Sequence, residues 1–117
     1  MDKEEMKERT KQFALRVIKL AAALPDTGIG RIIKNQLLRS GTSVGANYRA
    51  AQRAKSVADF INKMGTVEEE ADETMYWMEL IVESGLMKQE AISDLYKEAD
   101  EILSIVIASI KTAKKRR

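Results

Sequence analysis

Five cationic side chains recur along one predicted helix, and they are the residues of this chain best suited to a chemical role. At about 100° per residue, four of them fall within roughly 80° of one another on a helical wheel, with the lysine beside them. Guanidinium and ammonium groups on one face can bind successive phosphates or a row of carboxylates. The five residues, which we call the basic stripe, are Arg31, Lys34, Arg39, Arg49 and Arg53.

Two glycines interrupt the same helix, within the sequence QLLRSGTSVGANYRAAQRAKSVADF of residues 36–60. Gly41 and Gly45 are four residues apart, and each costs about 1 kcal/mol relative to alanine in a helix interior. A helix that keeps both is expected to use the missing side chains for close approach by another backbone. A phosphate-cradling loop would have denser glycines and a preceding strand. We therefore predict that these glycines serve close packing.

The distribution of charge leaves two kinds of partner open for the basic stripe. Residues 26–55 contain six basic residues and one acidic residue, a net charge of +5, whereas residues 56–85 contain one basic and eight acidic residues, a net charge of −7. The stripe can therefore meet an external polyanion, or it can pair with the acidic helix that follows it, including that of a neighbouring subunit.

The chain ends in a second group of cations. These residues either interact favourably with the negative end of the last helix's dipole or form a phosphate-binding tail. They are Lys114, Lys115, Arg116 and Arg117.

Several kinds of catalytic chemistry are missing from the composition. The chain has no cysteine, which excludes disulfides and thiolate chemistry, and no histidine, which excludes histidine bases, Ser-His-Asp triads and the Glu-x-x-His pattern of di-iron bundles. The acidic run at residues 68–73 is interpreted as a solvated or ion-paired face. We predict a protein that is not an enzyme and that has no metal site and no cofactor.

The elements that position these residues are predicted to be four helices in one domain, residues 1–117. Apolar residues recur at helical spacing over about 3–24, 28–54, 57–84 and 88–113, with one proline and few glycines between them. Because the connections are short, consecutive helices are expected to be antiparallel neighbours. The fold class predicted is all-α, an antiparallel up-down four-helix bundle.

The third helix has more apolar surface than one core requires. Over residues 75–82 it is apolar almost all round, since four side chains point away from its main stripe. We predict that these four form an oligomer interface, and they are Tyr76, Trp77, Leu80 and Ile81. With no long apolar run, no N-terminal signal pattern and no cysteine, a cytoplasmic protein without membrane contact is expected.

Residues 36–60, together with EADETMYWMEL at residues 70–80, resemble the bacterial 23S rRNA intervening-sequence proteins, also labelled S23 ribosomal proteins. The resemblance covers about residues 16–86. It implies an up-down four-helix bundle that assembles as a ring-like homopentamer. It also implies a relationship to the accessory protein of diversity-generating retroelements, which works with RNA and a reverse transcriptase. The chain departs from the family at Ala50, where glutamate is common, and this makes the stripe more basic.

The functional hypothesis is a non-enzymatic, oligomeric protein that binds nucleic acid, RNA or DNA, with structured RNA favoured. The basic stripe and the C-terminal tail are the predicted phosphate contacts. The alternative is a protein-interaction scaffold, or an accessory subunit like that of the retroelements, which has no direct contact with nucleic acid.

Overall fold

The computed structural model describes residues 1–117 and consists of four α-helices without any strand. Helix α1 spans Lys3–Ala22, α2 spans Gly28–Ala51, α3 spans Val57–Glu83 and α4 spans Ser93–Lys114, with a short 3₁₀ helix at Gln89–Ala91. The Cα atoms extend over 47 × 22 × 21 Å. No helix is long and apolar enough to cross a membrane.

Short polar side chains start the first three helices. Asp2 caps α1 in a reciprocal capping box with Glu5, and the Thr27 hydroxyl accepts the Gly30 N–H at 3.0 Å at the start of α2. At α3 the Ser56 hydroxyl accepts the Asp59 N–H at 3.0 Å. The Asp59 carboxylate accepts the N–H of Lys55 at 3.0 Å rather than that of Ser56, so this end is not a regular capping box.

Two helix ends differ from the sequence-based bounds. Helix α2 ends at Ala51, so Arg53 lies in the turn that follows and not on the helix. Helix α4 begins at Ser93, because the 3₁₀ helix occupies residues that were expected to be its first turn. Between them, Gly85 adopts φ of 80° just after the end of α3, a conformation that glycine reaches at little cost.

The core is lined by one row of side chains from each helix. In α3 this row alternates spacings of three and four residues, which is a heptad pattern, and it consists of Met64, Val67, Ala71, Thr74, Met78 and Ile81. Thr74 fits in the core because its hydroxyl donates to the Glu70 carbonyl oxygen at 2.7 Å. Ile81 is fully buried in the core of its own chain, so its predicted place at an oligomer interface is wrong.

Each helix contacts two others, in the order α1, α2, α3, α4 and back to α1. A methyl group placed on Gly41 would lie 2.6 Å from Val17 Cγ1, and one on Gly45 would lie 3.3 Å from the Thr10 carbonyl oxygen. The Val17 side chain therefore occupies the space beside Gly41, and no side chain fits there unless Val17 shifts; at Gly45 the neighbour is the α1 backbone itself.

Polar contacts join the other helix pairs. The Arg9 guanidinium makes two 2.7 Å hydrogen bonds with Glu98 between α1 and α4. The Tyr96 hydroxyl donates to the Glu79 carboxylate at 2.7 Å between α4 and α3.

Candidate nucleic-acid interface

The basic stripe is divided by an ion-pair cluster inside the subunit. Arg39 on α2 donates from Nη1 to Glu70 at 2.9 Å and from Nη2 to Glu73, both on α3. The acidic helix expected as a rival partner is therefore engaged by Arg39 within the same chain. Arg39 is therefore ion-paired within the subunit, which disfavours its predicted role as a nucleic-acid contact.

The side chain of Trp77 completes this cluster. Its indole Nε1 donates to the Glu73 carboxylate at 2.9 Å. This hydrogen bond, and then the Arg39 guanidinium, hold the pKa of Glu73 below its usual value, while the hydrogen bond from Arg39 to Glu73 raises the pKa of Arg39. Both groups therefore keep their charges at neutral pH, and the cluster links α2 to α3.

The remaining four cations of the stripe are not tied to other helices. Arg31 pairs at 2.7 Å with Asp26 in the turn before α2, but both side chains are largely exposed, and such a pair contributes little. Lys34 is half-buried, and Arg49 and Arg53 are exposed. None of these last three takes part in an ion pair, so their charges are available to an external anion.

A shallow groove between α1 and α2 gathers cations around Arg49. Its volume is about 200 Å³, and Lys7 and Lys11 of α1 line it together with Arg49 and the small residues that follow Gly41 along α2. No carboxylate lines the groove, although Lys7 Nζ lies 3.3 Å from Glu4 outside it. Sequence reasoning missed Lys7 and Lys11; their spacing of four residues on one side of α1 is the signal that could have found them.

The C-terminal cations lie at one end of the bundle. Lys114 is the last residue of α4, and Lys115, Arg116 and Arg117 follow it, all exposed. Arg116 shares an open cavity of about 460 Å³ with Lys55 from the turn between α2 and α3. The structure thus brings together two cations that are 61 positions apart in sequence, of which Lys55 was not a predicted site residue.

No group of three acidic side chains is arranged to hold a metal ion.

Residues 2–108 match the model of a protein family described as 23S rRNA-intervening sequence protein. The chain belongs to this family. It is also similar to a crystal structure of a protein of unknown function from the S23 ribosomal protein family of Bacteroides thetaiotaomicron VPI-5482. The two chains are 37% identical with a TM-score of 0.87, over 95% of this chain and 99% of the other. Among functionally curated proteins there is no match.

Apolar side chains are exposed on this 23S rRNA-intervening sequence family member as well. Tyr76 is 52% exposed, whereas Trp77 and Leu80 are half-buried. Ile29 and Ile32 on α2 are more exposed, at 65% and 64%, and sequence reasoning did not assign them to an interface. Because they are spaced three apart near the start of a helix, they share one side of it, which is the signal that was available.

Proposed function

We propose that this protein is a non-enzymatic, oligomeric nucleic-acid-binding protein whose ligand is structured RNA. The observation that carries the proposal is the groove between α1 and α2, where Lys7, Lys11 and Arg49 converge and no carboxylate lines the surface. Helix α2 contains four basic residues and no acidic residue, so the wider surface is basic too. Cations at this density bind phosphates and release counterions from the nucleic acid.

The same geometry supports binding to the backbone rather than to bases. The groove is lined by aliphatic and cationic side chains and has no aromatic ring on which a base could stack. Phosphate contacts fix the position of a protein on nucleic acid and carry little sequence information. Affinity is therefore expected to depend strongly on salt and only weakly on the sequence of the RNA.

The test measures fluorescence anisotropy of a labelled hairpin RNA with the double variant Lys11→Ala, Arg49→Ala. We expect about tenfold weaker binding and a slope of log K against log salt that is smaller by about 2, since two phosphate contacts are lost. The matched control is Lys88→Ala, Lys97→Ala, which removes two exposed lysines elsewhere. An equal loss in both double variants, or none in the first, would contradict the assignment.

We further propose that the helices run up-down and antiparallel and that the subunits close into a ring, a pentamer as the resemblance implies. The contacts of Val17 with Gly41 and of Thr10 with Gly45 support this direction for α1 and α2, because the later α1 residue meets the earlier α2 residue. Connections of five, five and nine residues cannot return the chain along a long helix to give parallel neighbours.

Two apolar surfaces on different helices support the ring. The first surface is formed by Leu15 and Ile18 on α1, which are 50% and 45% exposed. The second surface is formed by more exposed side chains on α2 and α3, which are Ile29, Ile32 and Tyr76. A closed ring is built from heterologous interfaces, in which each subunit uses two different surfaces. The first surface of one subunit is proposed to cover the second surface of the next.

Light scattering tests this assembly. Ile32→Glu and Tyr76→Glu place a charge in the proposed interface without touching the core, and we expect a monomer mass for each. Ser104→Glu, at an exposed position on α4, is the control and is expected to keep the oligomer mass. A full oligomer mass for both interface variants would rule out this surface.

The alternative function, a protein-interaction scaffold or accessory subunit, is favoured by the exposed apolar surfaces alone. It predicts that purified protein binds no hairpin RNA at low salt. It also predicts that the double variant Lys11→Ala, Arg49→Ala changes the affinity for an acidic protein partner rather than for RNA.

A further inference from the structure

The cavity at the end of the bundle combines charge with an apolar wall, which the groove between α1 and α2 does not. It lies between the turn that joins α2 to α3 and the last turns of α4, is open to solvent and has a volume of about 460 Å³. That volume falls within the range of about 300–1,000 Å³ found for small-molecule sites. Lys55 and Arg116 supply the charge, and Val57 and Phe60 supply the apolar wall.

The charged groups of this cavity are uncommitted. Lys55 and Arg116 are the only charged residues that line it, and neither side chain takes part in an ion pair. The nearby Asp59 carboxylate accepts the Lys63 ammonium at 2.7 Å and the backbone N–H of Lys55 at 3.0 Å, but it makes no ion pair with the Lys55 ammonium. Two cations at the mouth of a concave surface therefore favour an anionic ligand.

The uncharged lining matches the rest of a nucleotide. Phe60 offers an aromatic surface and Val57, 38% exposed, an aliphatic one against which a base can pack. The Ser109 hydroxyl lines the cavity and makes no hydrogen bond within the protein, so it can donate to or accept from a base edge or a sugar hydroxyl. An inorganic phosphate would leave the apolar wall uncovered, and a lipid tail would leave the cations unpaired.

We propose that this cavity binds one unpaired nucleotide of a nucleic-acid strand. Lys55 and Arg116 bind its phosphate, Val57 and Phe60 contact its base, and Ser109 hydrogen-bonds to its polar edge. A base inside a duplex is stacked on both faces and cannot enter a concave site, so the ligand is a single-stranded segment. Exposed cations on either side, at Arg53 and in the tail after Lys114, continue the path for the neighbouring phosphates.

This inference rests on the proposed function, since it names the part of the nucleic acid that the protein selects. The groove between α1 and α2 binds duplex backbone, and the cavity at the end of the bundle adds a preference for an unpaired tail next to the duplex. The two sites can therefore be tested separately with two related ligands.

The experiment compares a blunt RNA duplex with the same duplex that carries four unpaired adenosines at one 3′ end, each labelled at the opposite end. Anisotropy is expected to show the tailed duplex binding about fivefold or more tightly, which corresponds to one packed base. Ser109→Leu fills the cavity without changing charge and should abolish the preference for the tail while leaving blunt-duplex affinity unchanged. Ser104→Leu, outside the cavity on the same helix, should keep the preference.

Removal of the two charges tests the phosphate contact. Lys55→Gln with Arg116→Gln is expected to reduce the preference for the tail to less than twofold. Equal affinity of the wild-type protein for tailed and blunt duplexes overturns the cavity assignment and leaves the proposed function standing. No binding to either duplex overturns both. Adenosine monophosphate that binds as tightly as the tailed duplex would make the ligand a free nucleotide and overturn the assignment to a strand.

Discussion

Helix α2 packs on its two neighbours in different ways. Against α1 it presents Gly41 and Gly45, which let Val17 and the Thr10 backbone approach closely, and no ion pair joins these two helices. Against α3 it presents Arg39, whose guanidinium is held by two carboxylates. The interface between α1 and α2 is thus formed by close packing without ion pairs, whereas the interface between α2 and α3 includes ion pairs.

The difference decides which cations remain available for a ligand. No ion pair crosses the interface between α1 and α2, and Arg49 and Lys11, which share a groove there, take part in no ion pair. Across the interface between α2 and α3, by contrast, the carboxylates of Glu70 and Glu73 pair with Arg39. The row of cations on α2 is therefore divided between a paired position and an unpaired one.

The largest effect is expected from a methyl group in the interface between α1 and α2. Gly41→Ala would place Cβ 2.6 Å from Val17 Cγ1, and such overpacking costs about 1–3 kcal/mol. Gly65→Ala is the control, because beyond the adjoining backbone of α3 no atom would lie within 4 Å of the added Cβ and the helix gains up to about 1 kcal/mol from alanine. Urea denaturation of both variants is the measurement; a Gly41→Ala variant as stable as the wild type would show that this interface is loosely packed.

A smaller effect is expected when the ion-pair cluster between α2 and α3 is removed. Arg39→Met keeps the aliphatic part of the side chain but leaves Glu70 and Glu73 without their cation, so the thermal midpoint should fall. Affinity for hairpin RNA should stay within about twofold, in contrast to the loss for Lys11 and Arg49. Arg31→Met removes the more exposed pair with Asp26 and should hardly change the midpoint. A tenfold loss of RNA affinity in Arg39→Met would return Arg39 to the binding site.

The smallest effect is expected from acid, which should weaken the interface between α2 and α3 but not that between α1 and α2. The pKa of Glu73 is lowered in the folded protein from its usual 4.5. The contribution of the Glu73 charge to folding stability is therefore complete above about pH 4.5 and is lost as the pH falls through the lowered pKa. The difference in thermal midpoint between wild type and Arg39→Met should therefore shrink between pH 7 and pH 3. The difference between wild type and Gly41→Ala should not change, since no titrating group lies in that contact.

Much of the fold could be read from local signals in the sequence. Four helices were expected from apolar periodicity, and the structure has four, with Asp2, Thr27 and Ser56 as caps. Ile81 was predicted to lie outside the core, at an oligomer interface, but it is fully buried. The core row to which it belongs includes the polar Thr74, which a search for apolar periodicity passes over. Only the packed structure shows that the Thr74 hydroxyl is satisfied by its own helix.

The candidate site was less accessible to sequence reasoning, for a different reason. The angular position of Arg39 on α2 is clear from the sequence, but whether a carboxylate lies within reach depends on how α2 and α3 are aligned. Lys55 and Arg116 lie on separate elements, and no local pattern relates them. Helix periodicity describes one helix at a time, whereas a binding surface is made by two.

The elongated shape of the subunit has a consequence for a long ligand. The bundle is 47 Å long but only about 22 Å wide, and the cavity that contains Lys55 and Arg116 lies at one end of the bundle. In a ring in which the long axis of each subunit is parallel to the symmetry axis, every cavity would open at the same end of the ring. Neighbouring cavities would be separated by roughly one subunit width. A single strand that follows this end of the ring would be bound at regular intervals of a few nucleotides. Affinity would therefore depend on the length of the unpaired segment.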